Sequence, residues 1–294
     1  MPPSIDAEEC RSTSGSESRS EGPPPRPRWI GGIRPPLRFA RAFHRRLGWI
    51  GAALGPTHRW LAVSAAVGGV PLLASYATGV GGHGQVSAVL LTIVLCAASV
   101  RDRVGLALSA IACAFLAHCA LSVALAAHDP SGAAAIMPGG RAYWEHSRAW
   151  IETGLKPEYE FGSWLPAHAQ LLLGVIVFGW TSFGAIAAWE GFYEVDLMNY
   201  YVGQLLTHSD NSLVAIGCGW HPWSVCRGVG FLLILHESVR ASVRSFVGLP
   251  PCVDRWMAVR ILVGIAFVLG DAVLKLTILD SVRETLHAHL GATP

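Results

Sequence analysis

Charge is scarce in this sequence. Asp, Glu, Lys and Arg make up 14% of the residues, against about 25% in an ordinary soluble domain. So few charges cannot coat a 31.4 kDa globule, so apolar surface must face lipid or protein. Lysine is scarcest: Lys156 and Lys275 are the only two, and Arg supplies the rest of the 22 basic residues. A net charge of +2 excludes a generic nucleic-acid binder, and 52% hydrophobic residues exclude a disordered chain. The seven cysteines, Cys10, Cys96, Cys113, Cys119, Cys218, Cys226 and Cys252, include no CxxC pair. Most lie in apolar runs and read as small, reduced hydrophobes. Ligand-type spacing is missing, so no metal is expected. Enzyme signatures are missing as well. His236-Glu237 runs on into Ser-Val-Arg, so HExxH does not form, and there is no GxSG, P-loop, dinucleotide fingerprint or CxxCH. No cofactor is expected.

The apolar remainder, with a mean hydropathy of +0.41, predicts an all-α, polytopic membrane protein. Residues 1–28 are Ser, Glu, Arg and Pro with little to bury, and read as a disordered tail without the apolar core of a signal peptide. Residues 29–59 change character. No acid occurs from Gly22 to Trp60, while Arg34, Arg38, Arg41, Arg45, Arg46 and Arg59 alternate with Trp29, Ile33, Phe39, Phe43 and Trp49. From Pro36 onward this predicts a helix with Leu37, Ala40, Phe43 and Leu47 on one stripe, lying in the headgroup plane against anionic lipid.

Six spans follow, at about 61–80, 86–100, 104–127, 165–189, 213–235 and 257–279, most of them near the 20 residues that cross a 30 Å hydrocarbon core. A polar loop fills 128–164, and 281–294 reads as a short tail. Frequent Ala, Gly and Arg point to a GC-rich genome and a bacterial inner membrane. Arg clusters at 26–59 and 101–103 place the N-terminus in the cytoplasm and the acidic 128–164 loop outside. The second half conflicts with this. A six-span count puts acidic 190–212 inside, and puts Arg240, Arg244 and Arg255 outside. Either the early basic segment dominates, or 197–235 enters and leaves on one side, with Leu197–Leu206 as a half-helix.

Polar groups within spans are costly, and so mark sites. Pro222, with Gly217 and Gly219 before it, predicts a kink or break near Cys218–His221. Arg227 sits mid-span, and Asp271 and Lys275 share a helix face at i, i+4. Asp271 shared between Arg227 and Lys275 would lock the fifth span on the sixth, and the positive charge left over would either draw in Glu237 or form an anion-attracting spot beside the Pro222 break. The candidate intramembrane polar cluster is therefore His221, Arg227, Glu237, Asp271 and Lys275. Glu190 and Glu194, one helical turn apart, are either a solvated helix end or carboxylates at a pore mouth. The expected function is a non-enzymatic transport or permease-type component, or a membrane-organising one, working as a homo-oligomer or with another membrane subunit. The alternative is an intramembrane enzyme or haem-type redox protein using His118, His168, His221, Arg227 and Asp271.

Overall fold

The computed structural model describes residues 37–155, 161–248 and 255–291. The expected tail at 1–28 and residues 29–36 of the basic segment lie outside them. The described residues form eleven α-helices: α1 Leu37–Leu54, α2 Thr57–Thr78, α3 His83–Val100, α4 Val104–His128, α5 Pro130–Ile136, α6 Gly140–Thr153, α7 Phe161–Thr181, α8 Ala185–His208, α9 Ser212–Gly219, α10 Pro222–Phe246 and α11 Arg255–His289. Four of them, α2, α3, α4 and α11, are long and apolar enough to cross a membrane, and α7 carries a shorter apolar stretch at Pro166–Thr181. The chain is a polytopic helical membrane protein.

Local chemistry sets the breaks. Gly79 ends α2 in the left-handed region at φ 68°, and Gly82, at φ 104°, starts α3 at His83. The Asp129 carboxylate accepts from the Gly132 N–H at 3.0 Å to cap α5. Asn211 caps α9 in the same way. Pro222 opens α10 at the first helical position, where its missing N–H costs nothing.

Two apolar cores are stacked along the bundle. The first holds Leu47, Trp60, Leu91, Ala110, Phe192 and Val239, and the second holds Leu72, Val123, Trp150, Tyr201, Trp223 and Leu286. Helices α2, α4, α8, α10 and α11 contribute to both, so each runs along the bundle. At two crossings a glycine stands directly against the carbonyl of the neighbouring helix. A Cβ on Gly68 would lie 2.0 Å from the Ala114 carbonyl, holding α2 against α4. A Cβ on Gly230 would lie 2.6 Å from the Gly264 carbonyl, holding α10 against α11.

The structure redraws the second half. The apolar run 165–189 is not one span: Phe183 (φ 54°) and Gly184 (φ 94°) make a left-handed turn between α7 and α8. Residues 190–212, expected as an acidic loop, are mostly α8, a 24-residue helix. The expected half-helix Leu197–Leu206 is part of it. Arg240 and Arg244 lie against Asp102, 2.8 and 3.8 Å away. Those arginines thus share one end with the 101–103 turn. The expected fifth span is divided into α9 and α10, and 281–289 continue α11 instead of forming a tail. Within the expected 128–164 loop, Pro130–Ile136 and Gly140–Thr153 form α5 and α6, with Trp144 and Trp150 buried in the second core.

The basic segment also packs differently. In α1, Ala40 and Leu47 are buried and Phe43 lies edge-on to Phe246 and tilted against Phe183, so these three apolar side chains meet protein. Arg38, Arg41, Arg45 and Arg46 are exposed. Arg101 donates to the Gly51 and Gly48 carbonyls at 2.7 and 3.1 Å, neutralising the negative end of α1.

Candidate functional site

Three helices deliver polar side chains to one point between the two cores. On α4, His118 lies between Phe115 of the first core and Val123 of the second; on α8, Asp196 lies between Phe192 and Tyr200. His83 is the first residue of α3. All three are buried: His83 is 3% exposed, His118 0% and Asp196 4%. Asp196 takes one imidazole on each oxygen, with His118 Nε2 2.7 Å from Oδ1 and His83 Nε2 2.8 Å from Oδ2. The far nitrogen of His118 donates to the Gly68 carbonyl at 3.0 Å, a contact that rests on the close α2–α4 crossing. The two rings stack at 5.6 Å, and Phe192 stands edge-on to His118 at 4.9 Å. His83 Nδ1 is buried with no partner among the described residues.

A second buried carboxylate is built differently. Asp271 Oδ2 is met by His168 Nε2 at 3.1 Å, Lys275 Nζ at 3.2 Å and Arg227 Nη1 at 3.7 Å. Arg227 also contacts His168. The Asp271, Lys275 and Arg227 juxtaposition ties α10 to α11, and His168 adds α7. Asp271 Oδ1 is buried without a partner among the described residues.

Glu237 and His221 belong elsewhere, which corrects the expected five-residue cluster. Ten residues along a helix is about 15 Å, so Glu237 is far along α10 from Arg227. It pairs with Arg260, with Arg240 at 3.4 Å and with His236 at 3.1 Å. His221 precedes α10 and stacks on Trp223 at 4.7 Å, with Tyr201 and Trp150 around it. His118, His168 and His221 thus have separate surroundings.

Beside these centres lies a cavity of about 350 Å³ among α4, α7, α8 and α10. Its walls are mainly apolar, including Phe115, Leu171, Met198 and Phe231, with Glu190, Glu194, Asn199 and Arg227 as polar points. Its rim includes the exposed Leu116, Val225 and Val229. Glu190 and Glu194 therefore stand within α8 on a cavity wall, not at the exit of a span. His83 and Asp196 were not singled out in the sequence. The available signal was the ionisable His118 inside an apolar run, but its partners lie 35 and 78 residues away on other helices.

Fold and site together define a polytopic helical membrane protein with two buried carboxylate centres flanking an apolar cavity. No family model, curated protein or solved structure matches this chain.

Proposed function

We propose that the chain is a carrier-type integral membrane protein that receives an amphipathic molecule in the cavity among α4, α7, α8 and α10. The observation that carries this reading is the cavity itself: apolar walls, a few convergent polar groups and an exposed apolar rim. That is the form of a small-molecule site, and a rim that meets hydrocarbon admits a ligand from the bilayer. The charges favour one kind of head group. Arg227 and Lys275 face Asp271, and Glu194 on the cavity wall balances the cation left over. Glu190 then remains on the wall without a lining cation of its own. A cationic or hydrogen-bond-donating head group suits it.

The exposed arginines of α1 support contact with anionic head groups on the same side. Their position at the Arg101 end, with Arg240 and Arg244, supports placing that end in the cytoplasm of a bacterial inner membrane. Exposed Leu262, Leu269, Val273 and Leu276 give α11 a face for lipid or a second subunit. The enzymatic alternative is favoured by one observation, the His83–His118–Asp196 centre.

The test is photo-crosslinking of the purified chain with a diazirine-bearing alkylamine. Label should map to 224–235 and α8. Gly228 lines the cavity and a Cβ there meets nothing within 4 Å, so Gly228→Phe occupies cavity space and should remove the label. Equal labelling of wild type and Gly228→Phe would contradict the proposal.

A further inference from the structure

We propose that His83, His118 and Asp196 form a binding site for one divalent first-row transition-metal ion, with zinc and ferrous iron as the fitting class. The ligand-type atoms of the three residues lie within 4.8 Å of one another on three different helices. An ion bonded at about 2.0–2.2 Å to each would hold neighbouring ligand atoms about 3.4 Å apart. The present contacts of 2.7 and 2.8 Å would therefore open by about 0.6–0.7 Å to admit it.

Tautomers sharpen the argument. A carbonyl can only accept, so the Gly68 contact places a hydrogen on His118 Nδ1. In the neutral ring, Nε2 is then a lone pair, aimed at a carboxylate oxygen 2.7 Å away. Two lone pairs at that distance repel unless a cation lies between them. Without metal, that cation is a proton shared by His118 Nε2 and Asp196 Oδ1. With metal, the ion takes the proton's place. A backbone carbonyl on the outer nitrogen is also the arrangement that orients metal-binding histidines. His83 then donates its Nε2 lone pair by moving its proton to Nδ1, the nitrogen that has no partner among the described residues. The balance is one M²⁺ bound and one proton released, that of His118 Nε2.

The donor set selects the ion. Two imidazoles and one carboxylate suit zinc, ferrous iron or cobalt, whereas Mg²⁺ and Ca²⁺ require oxygen-rich shells. Three protein ligands leave a position open for water or a substrate atom. Phe192 covers His118, and Phe115, stacked on Phe192 at 4.5 Å, lines the cavity. The centre is thus one aromatic layer from the cavity. On the other side, the exposed residues 79–82 lead directly to His83.

The experiment uses the full chain in detergent, stripped with chelator and titrated with Co²⁺, Zn²⁺ and Mg²⁺. Metal content, cobalt d–d absorption and the thermal midpoint are read. The expected result is about one Co²⁺ per chain in a low-coordinate N/O site, displaced by Zn²⁺, with a raised midpoint and no response to Mg²⁺. His83→Gln and Asp196→Asn should lose more than the roughly 10–100-fold in affinity typical of outer-shell changes. If either variant does not fold, the wild type decides: stripped protein with no cobalt bands and no zinc shift would overturn the site. Undiminished uptake in folded Asp196→Asn would overturn it equally. No readout involves lipid, so this site and the cavity ligand stand or fall separately.

Discussion

Asp196 and Asp271 are both buried carboxylates on long helices, and the groups around them differ in kind. Asp271 faces a guanidinium and an ammonium, with His168 beside them. Asp196 faces two imidazoles and, among the described residues, no guanidinium or ammonium. A carboxylate held by fixed cations can only fasten helices together, since removing it strands charge in a low dielectric. One held by imidazoles can exchange its counter-charge, because an imidazole nitrogen binds either a proton or a metal ion. The first centre is a clasp across α7, α10 and α11, and the second is chemically adjustable.

The sharpest way to break this contrast is to neutralise each acid in turn. Asp271→Asn leaves Arg227 and Lys275 uncompensated and should cost about 3–5 kcal/mol. Thermal unfolding in detergent, followed by circular dichroism, measures it. Adding Arg227→Gln should restore part of the loss, and strictly additive losses would show that the two do not interact. Asp196→Asn should cost less, about 1.5–3 kcal/mol, the scale of hydrogen bonds to a charged group, since it leaves no guanidinium or ammonium behind. Losses of equal size at the two acids would erase the distinction.

How much of this was legible in the sequence differs between the two centres for a physical reason. Asp271 and Lys275 are four residues apart on one helix, so their contact follows from helical geometry. Arg227 was a natural third member, because an Arg inside an apolar run must find an acid. His168 comes from α7, and no local pattern announces it. The Asp196 centre was hidden by a boundary error. Hydrophobicity runs on through Ser182, Phe183 and Gly184 with no proline to interrupt it, so α7 and the start of α8 read as one span. Asp196 was then left in a loop that is in fact a helix. The break before Pro222 was legible, because proline has a fixed steric consequence. A left-handed Phe-Gly turn has no comparably specific signature. The all-helical membrane class needed only composition and run length.

Weaker contacts at the ends of the bundle sharpen the same contrast. Asp102 meets Arg240 and Arg244 but is half exposed. Asp102→Asn should therefore cost only about 0.2–1 kcal/mol and less at high salt. Asn also tolerates the φ of 54° at this position. A chemical-denaturation series at two ionic strengths checks it.

The smallest effect belongs to Asp129, outside the long apolar helices. The Gly132 N–H, and then the Tyr76 hydroxyl, hold its carboxyl below the ordinary carboxylate range. A depressed folded-state pKa means the cap's contribution is complete above the unfolded value, near 3.9, and fades as pH falls through the folded one. Asp129→Asn should flatten the fall of the melting midpoint between about pH 4 and pH 3, leaving neutral-pH stability close to wild type.

The most direct measurement is the zinc-induced shift of the thermal midpoint in Asp196→Asn and Asp271→Asn, side by side with wild type. The account predicts that Asp271→Asn unfolds at a lower temperature yet keeps the wild-type zinc shift, while Asp196→Asn loses the shift. A zinc shift that survives in Asp196→Asn, or that disappears in folded Asp271→Asn, would contradict it.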